Sequence, residues 1–413
     1  MKLLAIEVGQ FGDYYNSRYQ QIENYGVDLY VFSGVADFDH WKEGKFFVAN
    51  TMDTTDLTKR AIEINQEQKF DGVFTLAENS VIATAIIATA LGLPSITVNA
   101  AANSRNKIFM RNAHRTHNAP HPAFALTNTI DEARKAADSI GFPVILKPTL
   151  GSGSQFVYKI NNHEELNDAF PTAFKGINAM SQFLKEGITS LLGPNSLLVE
   201  SYLDGREFLI EAFTWDGETV LGSIVDRVTL EGNSFDDDVH HAPTDLCPLD
   251  IERVRAAVHA GAVAQGLTRS AMHAEIRFHQ NKPYIIEIAA RLGGGGLDFM
   301  SRLSSGYCPV KSAIDIAMGV KPNHGFYSPT GLDTFALCLI SGPGTITDIL
   351  VPATITNDPA VFMLKITAQP GTLIKRPPFG NDIVGFLGVS GSVRKETEFK
   401  ALSYSNKIKI SIK

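Results

Sequence analysis

Short apolar runs and helical stretches alternate over the first hundred positions. LLAIEV (3–8), LYVFSG (29–34), GVFTL (72–76) and SITV (95–98) have strand length, whereas residues 15–24, 55–68 and 79–91 space their apolar positions for helices. This rhythm predicts a parallel sheet with helices on both faces. The stretch from Asn79 to Ser104 carries no charge, but Gly92 and Pro94 interrupt it. It therefore reads as a packed helix ending near Leu91, a turn at GLP and a strand through SITV, not as a membrane span.

The pattern changes after about Ala123. A helix DEARKAADSI is followed by a strand PVILKP, a Gly/Ser loop, a strand QFVYKI and a helix NHEELNDAF, for which Asn162 and Glu165 form a capping box. From Ser196 to Arg291 strands dominate, interrupted by a helix near residues 249–265. Beyond about Gly331 the tail reads as β-rich, with turns at GPG, QPG and PPFG. The expected organisation is an N-terminal parallel α/β domain (1–104), a central domain (105–328) with a flap subdomain at about 123–195, and a small β-rich C-terminal domain (329–413). No internal repeat is apparent.

Composition narrows the function classes. The chain has 413 residues, 44% hydrophobic and 20% charged, with a formal charge of -7 and a pI near 5.9. That balance is globular, and it supplies no basic face for nucleic acid or a membrane surface. Three cysteines, Cys247, Cys308 and Cys338, have no CxxC spacing, which fits a reducing cytoplasm and argues against a disulfide framework or structural zinc. MKLLAIEVG reaches Glu7 after a few apolar residues and reads as a buried strand, not an export signal. The following GQFGDYY lacks the three-glycine dinucleotide fingerprint, which weakens an oxidoreductase reading.

Candidate chemistry lies in four places. The loop LGSGSQ (150–155) offers small residues whose amides can approach phosphate oxygens, and Lys147 supplies charge at the end of the preceding strand. The lysine precedes the glycines and β-type residues follow, so this is a hairpin flap, not a Walker loop; a plain β-turn beside a surface lysine has the same appearance. In LLVESYLDGREFLIE, Glu200 and Glu207 flank a turn and suit an adenine amino group and ribose hydroxyls, with backbone near Tyr202 and Leu203 completing the adenine contact; solvated strand-end acids are the alternative. In AMHAEIRFHQNKPYIIEIAAR (271–291), alternation puts Met272, Ala274, Ile276 and Phe278 on one face and His273, Glu275 and Arg277 on the other, while Glu287, Ala289 and Arg291 lie together on the return strand. Closing the hairpin around HQNK brings Glu275 and Glu287 nearly opposite each other. Facing like charges cost up to about 1 kcal/mol unless a cation intervenes, so the pair suits magnesium shared with nucleotide phosphates. A solvent-facing acidic pair balanced by Arg277 is the other reading.

In this order the elements resemble the ATP-grasp superfamily over about residues 100–325, and most nearly its L-amino-acid ligases that make dipeptides. The resemblance implies an ATP-grasp fold and an ATP-dependent enzyme that joins a carboxylate to an amine, both small molecules of amino-acid type, through an acyl phosphate. It implies that Lys107 and Lys147 contact ATP phosphates under a cover of Gly151, Ser152, Gly153 and Ser154, with Glu200 at adenine and Glu207 at ribose. Glu275 and Glu287 would hold Mg2+, with Mn2+ as a substitute, and Arg291 would steady charge on the reacting carboxylate. An asparagine ligand common in the superfamily is Ala289 here, and EIAAR is similar to the dipeptide-ligase branch. DDDVHHAP (236–243) resembles the loop of that branch whose histidine, here His240, approaches the amino-acid substrate, and Glu78 matches a glutamate near the substrate cleft. A homodimer is compatible with this reading. A carboxylase acting on bicarbonate and a non-catalytic nucleotide-binding subunit share parts of the pattern.

Overall fold

The computed structural model describes all residues except 8–11, 37–39, 51–52, 152–153, 185–188, 194, 229–238 and 377–381, and leaves out the side chains of 12–16, 179–184 and 189–190. Strands β1 (Lys2–Ile6), β2 (Asp28–Ser33), β3 (Phe46–Val48) and β4 (Gly72–Phe74) pair in parallel in the order β3-β2-β1-β4. Helices α1 (Gly12–Asn24), α2 (Thr54–Gln68) and α3 (Val81–Leu91) accompany them. Both faces are buried, as the alternation predicts. Leu3 and Ala5 pack in one cluster with Ile22, while Leu4 and Ile6 pack in another with Leu57, Ala61 and Ile87.

Gly92 ends α3 with a left-handed φ of 67°. The expected strand at SITV does not form. Thr97 instead caps α4 (Val98–Arg105), its hydroxyl accepting the Ala100 amide at 3.1 Å, and the alanine-rich sequence continues the helix. Asn106 then caps α5 (Lys107–Thr116), accepting the Ile108 amide at 3.0 Å, so Lys107 occupies the first helical turn. The short strand β3 was not anticipated.

Strands β5 (Phe124–Thr127), β6 (Val144–Pro148), β7 (Tyr158–Ile160) and β8 (Leu197–Ser201) form an antiparallel sheet in the order β5-β8-β6-β7. Helices α6 (Ile130–Ile140), α7 (His163–Leu184) and α8 (Thr189–Leu192) belong to the same region. Ahead of α7, Asn162 Oδ1 accepts the Glu165 amide at 2.9 Å, but the Glu165 carboxylate accepts the amide of Asn161, one residue earlier than a capping box requires. The strand expected through QFVYKI is shorter. Ser154 and Phe156 have φ of 57° and 55°, and the Phe156 ring lies where a Cβ on Gly176 of α7 would sit, 2.3 Å from Cζ. The aromatic side chain anchors the flap to a helix instead of extending the strand.

The remaining strands are β9 (Glu207–Trp215), β10 (Glu218–Val228), β11 (Val239–Ala242), β12 (Arg269–His279), β13 (Lys282–Ala289), β14 (Asp333–Leu339), β15 (Gly344–Leu350), β16 (Val361–Ile366), β17 (Leu373–Ile374), β18 (Gly385–Gly391) and β19 (Lys409–Ile412). Eight of them make one sheet, β13-β12-β9-β10-β11-β14-β18-β16. Between them run α9 (Pro248–Gln265), α10 (Leu297–Ser305), α11 (Pro309–Ala317), α12 (Ala353–Thr356) and α13 (Arg394–Lys407). The tail thus combines strands with α13, which the β-rich expectation omitted; its PPFG turn lies outside the described residues. Val254 and Val258 of α9 pack against Ile210, Met272, Ala274, Ile276 and Ile288, leaving the opposite sheet face for the cleft. Among the described residues no helix is long and apolar enough to cross a membrane.

Candidate active site

The β5–β8 sheet and the exposed face of the eight-stranded sheet enclose a cavity of about 340 Å³. Alternation on β9 turns Glu207 and Leu209 toward it, and alternation on β12 turns His273, Glu275 and Arg277 toward it. Glu275 faces Glu287 directly, where the hairpin pattern predicts the two nearly opposite. The next pair is Ile276 with Ile285, so Ile286 is an extra residue, a bulge that lets Ile286 and Glu287 both line the cavity. The far wall carries Lys147, Glu200, Tyr202 and Leu203, and the flap contributes Gly151 and Ser154. Ser152 and Gly153 lie outside the described residues.

Each cation expected to meet an anionic ligand is held by a carboxylate. Lys147 Nζ stands 2.6 Å from Glu200, and Lys107 Nζ lies 2.9 Å from Glu287 and 3.2 Å from the Gly151 carbonyl oxygen. Arg291 Nε donates to Glu78 at 2.5 Å, and Arg105 pairs with the other Glu78 oxygen. Glu78 stands one ion pair behind the cavity wall. Burial pushes its acidity down, but Arg291 and Arg105 outweigh that and hold its pKa at about 2. Burial lowers the pKa of Lys147 while Glu200 opposes the shift.

Glu200 is also held from below. Arg111, fully buried four residues after Lys107 on α5, donates to both Glu200 oxygens at 2.7 and 3.3 Å and to the Ile286 carbonyl oxygen at 2.7 Å. Both Glu200 oxygens are therefore engaged, and the Tyr202 amide donates to Pro143 at 3.3 Å. The Tyr202 ring lies under Lys159, whose Nζ is 4.2 Å from its centroid. Glu207 pairs with Arg227 at 2.8 Å and lies 3.7 Å from Arg277, whose Nε donates to the Gly205 carbonyl oxygen. Arg277 thus serves Glu207, not the acidic pair. Buried His240 on β11, opposite Arg227, reaches the cavity beside Gly295, where a Cβ would be 3.5 Å from its Cε1.

The acidic pair fits a divalent cation shared with phosphate oxygens. Two carboxylates meet across a ladder, one balanced by Lys107 and the other approached by His273 Nε2 at 3.7 Å. Among the described residues no group of three or more His, Cys, Asp or Glu could hold a metal alone. Burial raises the Glu275 pKa, but His273 more than offsets this and leaves it at about 2. His273 is in turn raised to about 9: burial opposes its charge, but the Glu211 and Glu275 carboxylates overcome burial. Arg111, Arg105, Arg227 and Glu211 were not singled out from sequence. Their signals were present in part, since Arg111 follows Lys107 at i+4 and Glu211 shares a strand face with Glu207.

Two family models match the chain, an ATP-grasp domain over residues 140–298 and an L-amino acid ligase C-terminal domain 2 over residues 336–413. An L-arginine-specific L-amino acid ligase of Bacillus subtilis is 24% identical over 291 residues, covering 69% of this chain and 67% of the relative. An alanine–anticapsin ligase of Bacillus subtilis strain 168 is 27% identical over 347 residues, covering 74% and 69%. The crystal structure of an L-amino acid ligase from Bacillus licheniformis superposes with a TM-score of 0.86 at 22% identity, over 100% of this chain and 99% of that one. The two matched segments fall on the cleft and on the tail that completes its sheet, so the chain carries an ATP-grasp domain and the C-terminal domain of the L-amino acid ligases, the make-up of an ATP-dependent enzyme that forms carbon–nitrogen bonds.

Proposed function

We propose that this protein is an L-amino acid ligase that makes a dipeptide, with ADP and phosphate as the other products. The observation that carries the reading is the charge layout of one cleft, in which Lys107, Lys147 and Arg291 stand around the Glu275–Glu287 pair. A carboxylate oxygen of the first amino acid attacks the γ-phosphorus of ATP, the bond to the bridging oxygen breaks, and ADP leaves. The amine nitrogen of the second amino acid then attacks the acyl carbon, phosphate departs with the bonding pair, and the nitrogen loses a proton.

Lys147 and Lys107 exchange their carboxylate partners for phosphate oxygens, so charge on the transferring group meets cations already in place. Arg291 presents its planar fork to the reacting carboxylate, and Glu78 fixes the guanidinium from behind. Glu275 and Glu287 would hold a magnesium ion, which would supply Lewis-acid stabilisation of the phosphoryl oxygens. Gly151 and Ser154 of the flap stand over the phosphates and help keep water from the acyl phosphate. His240 lies on the amino-acid side of the cleft.

A phosphate-release screen over pairs of amino acids, with bicarbonate and simple carboxylates as controls, tests this reading. ADP, phosphate and a dipeptide are the expected products. AMP and pyrophosphate would exclude the acyl-phosphate route, and turnover with bicarbonate alone would move the protein to the carboxylases.

A further inference from the structure

Two buried groups on the cleft side of the large sheet have no task in this mechanism. Glu211 on β9 is 1% exposed and His273 on β12 is 6% exposed, and the register places them directly opposite each other. His273 Nδ1 stands 2.6 Å from Glu211 Oε1, and both Glu211 oxygens accept the Gly293 amide at 3.1 Å. The other edge of the ring, Nε2, faces Glu275 Oε1 at 3.7 Å, within ion-pair range. The imidazole therefore bridges a carboxylate sealed from the cleft and a carboxylate on its wall.

The backbone closes this arrangement from above. A Cβ on Gly293 would meet Glu211 Oε1 at 2.4 Å and His273 Nδ1 at 2.7 Å, so the loop after β13 presses on both groups. Close packing of this kind leaves Glu211 and the ring little freedom to change rotamer. The Glu275 side chain is 27% exposed and faces open cleft on its other side. Its orientation is set where the imidazole meets it.

We infer that Glu211 and His273 are positioning residues: the chain from the Gly293 amide through Glu211 to His273 holds the Glu275 carboxylate in the orientation that receives a divalent cation. The inference rests on the reading of Glu275 and Glu287 as ligands of that ion. Groups behind a metal ligand fix its orientation, and their loss typically weakens metal affinity about 10–100-fold. Glu287 is held by Lys107 and does not share this support. The effect belongs to the ion and not to the nucleotide.

Binding of Mn2+ to the full-length chain with ADP, followed by electron paramagnetic resonance without turnover, tests the chain of contacts. His273→Ala is expected to raise the Mn2+ dissociation constant about 10–100-fold, with metal-free ADP affinity unchanged. Glu211→Gln, which keeps shape and Gly293 contact, should shift it in the same direction by less. The double variant should bind Mn2+ no more weakly than His273→Ala alone, because the two act in series. Wild-type Mn2+ affinity in both single variants, or an equal loss of metal-free ADP affinity, would overturn the inference. A wild-type chain that bound ADP but no Mn2+ would instead overturn the metal-site reading beneath it.

Discussion

Arg111→Met keeps the apolar stem of a fully buried side chain and deletes only its guanidinium. In the native chain that group donates to both oxygens of Glu200 and to the Ile286 carbonyl. Burial by itself raises the Glu200 pKa; Arg111, and after it Lys147, reverse this and hold it at about 2 against the usual 4.5. A displacement of that size corresponds to about 3 kcal/mol of folding free energy. Arg111 is the larger of the two opposing influences, and removing one member of a buried pair costs about 3–5 kcal/mol. The expected loss at pH 7 is therefore about 3 kcal/mol, the lower end of that range, because Lys147 remains at 2.6 Å. The sign of the pH dependence follows from a depressed acid: its contribution is complete above the unfolded value of 4.5 and disappears as pH falls to about 2. The gap between native and variant chains should thus be constant near neutrality and narrow on acidification. Urea unfolding at pH 7 and pH 4 measures it. A loss under about 1 kcal/mol at pH 7, the size of an exposed ion pair, or a gap that widens toward pH 4, would refute the reasoning.

Glu287→Gln removes one charge from the acidic pair with little change of shape, so turnover at limiting magnesium should fall by about 100-fold or more while the circular dichroism spectrum is retained; an unaltered rate would exclude Glu287 as a ligand. Lys147→Ala should both weaken ATP binding and slow chemistry, and an unchanged nucleotide affinity by calorimetry would move the phosphate site elsewhere. Arg291→Lys should cut turnover strongly at nearly constant ATP affinity, because a point-like ammonium cannot reproduce the planar fork; steady-state kinetics at saturating ATP decide this. His240→Ala should act mainly on the KM for amino acid, and equal effects on the KM for ATP would displace it from the substrate side.

Periodicity was a sufficient guide where one face of an element is buried. Met272, Ala274 and Ile276 are fully buried, and the hairpin turn brings Glu275 within one residue of Glu287, the bulge at Ile286 completing the pairing. It misled at SITV, where a threonine cap and a run of alanines outweighed the β-branched Ile96, Thr97 and Val98. It also misled at Phe156, where a tertiary contact with Gly176 overrides a local strand preference. The positions named around the cleft from Lys107 to Arg291 line one cavity, apart from Ser152 and Gly153, which are not described, and Glu78, which stands behind Arg291. Their mutual pairing was not legible. Arg111 and Glu200 are 89 residues apart and Arg291 and Glu78 are 213 apart, and no spacing rule connects charges across such distances. The bulge at Ile286 was hidden for a related reason, since an extra residue shows only against the strand it faces.

The single sheet running from β13 to β16 makes the tail a structural dependency of the cleft. Strand β11, which carries His240, has β10 on one side and β14 on the other, and Cys338 of β14 and Phe386 of β18 reach the cavity wall. A shortened chain ending near residue 328 would expose the outer edge of β11 as a bare ladder of amides and carbonyls. Such an edge recruits other chains. Expression of the ATP-grasp segment alone should therefore yield aggregate in place of a weakened enzyme, and recombination with relatives needs crossover points that transfer β11, β14 and β18 together.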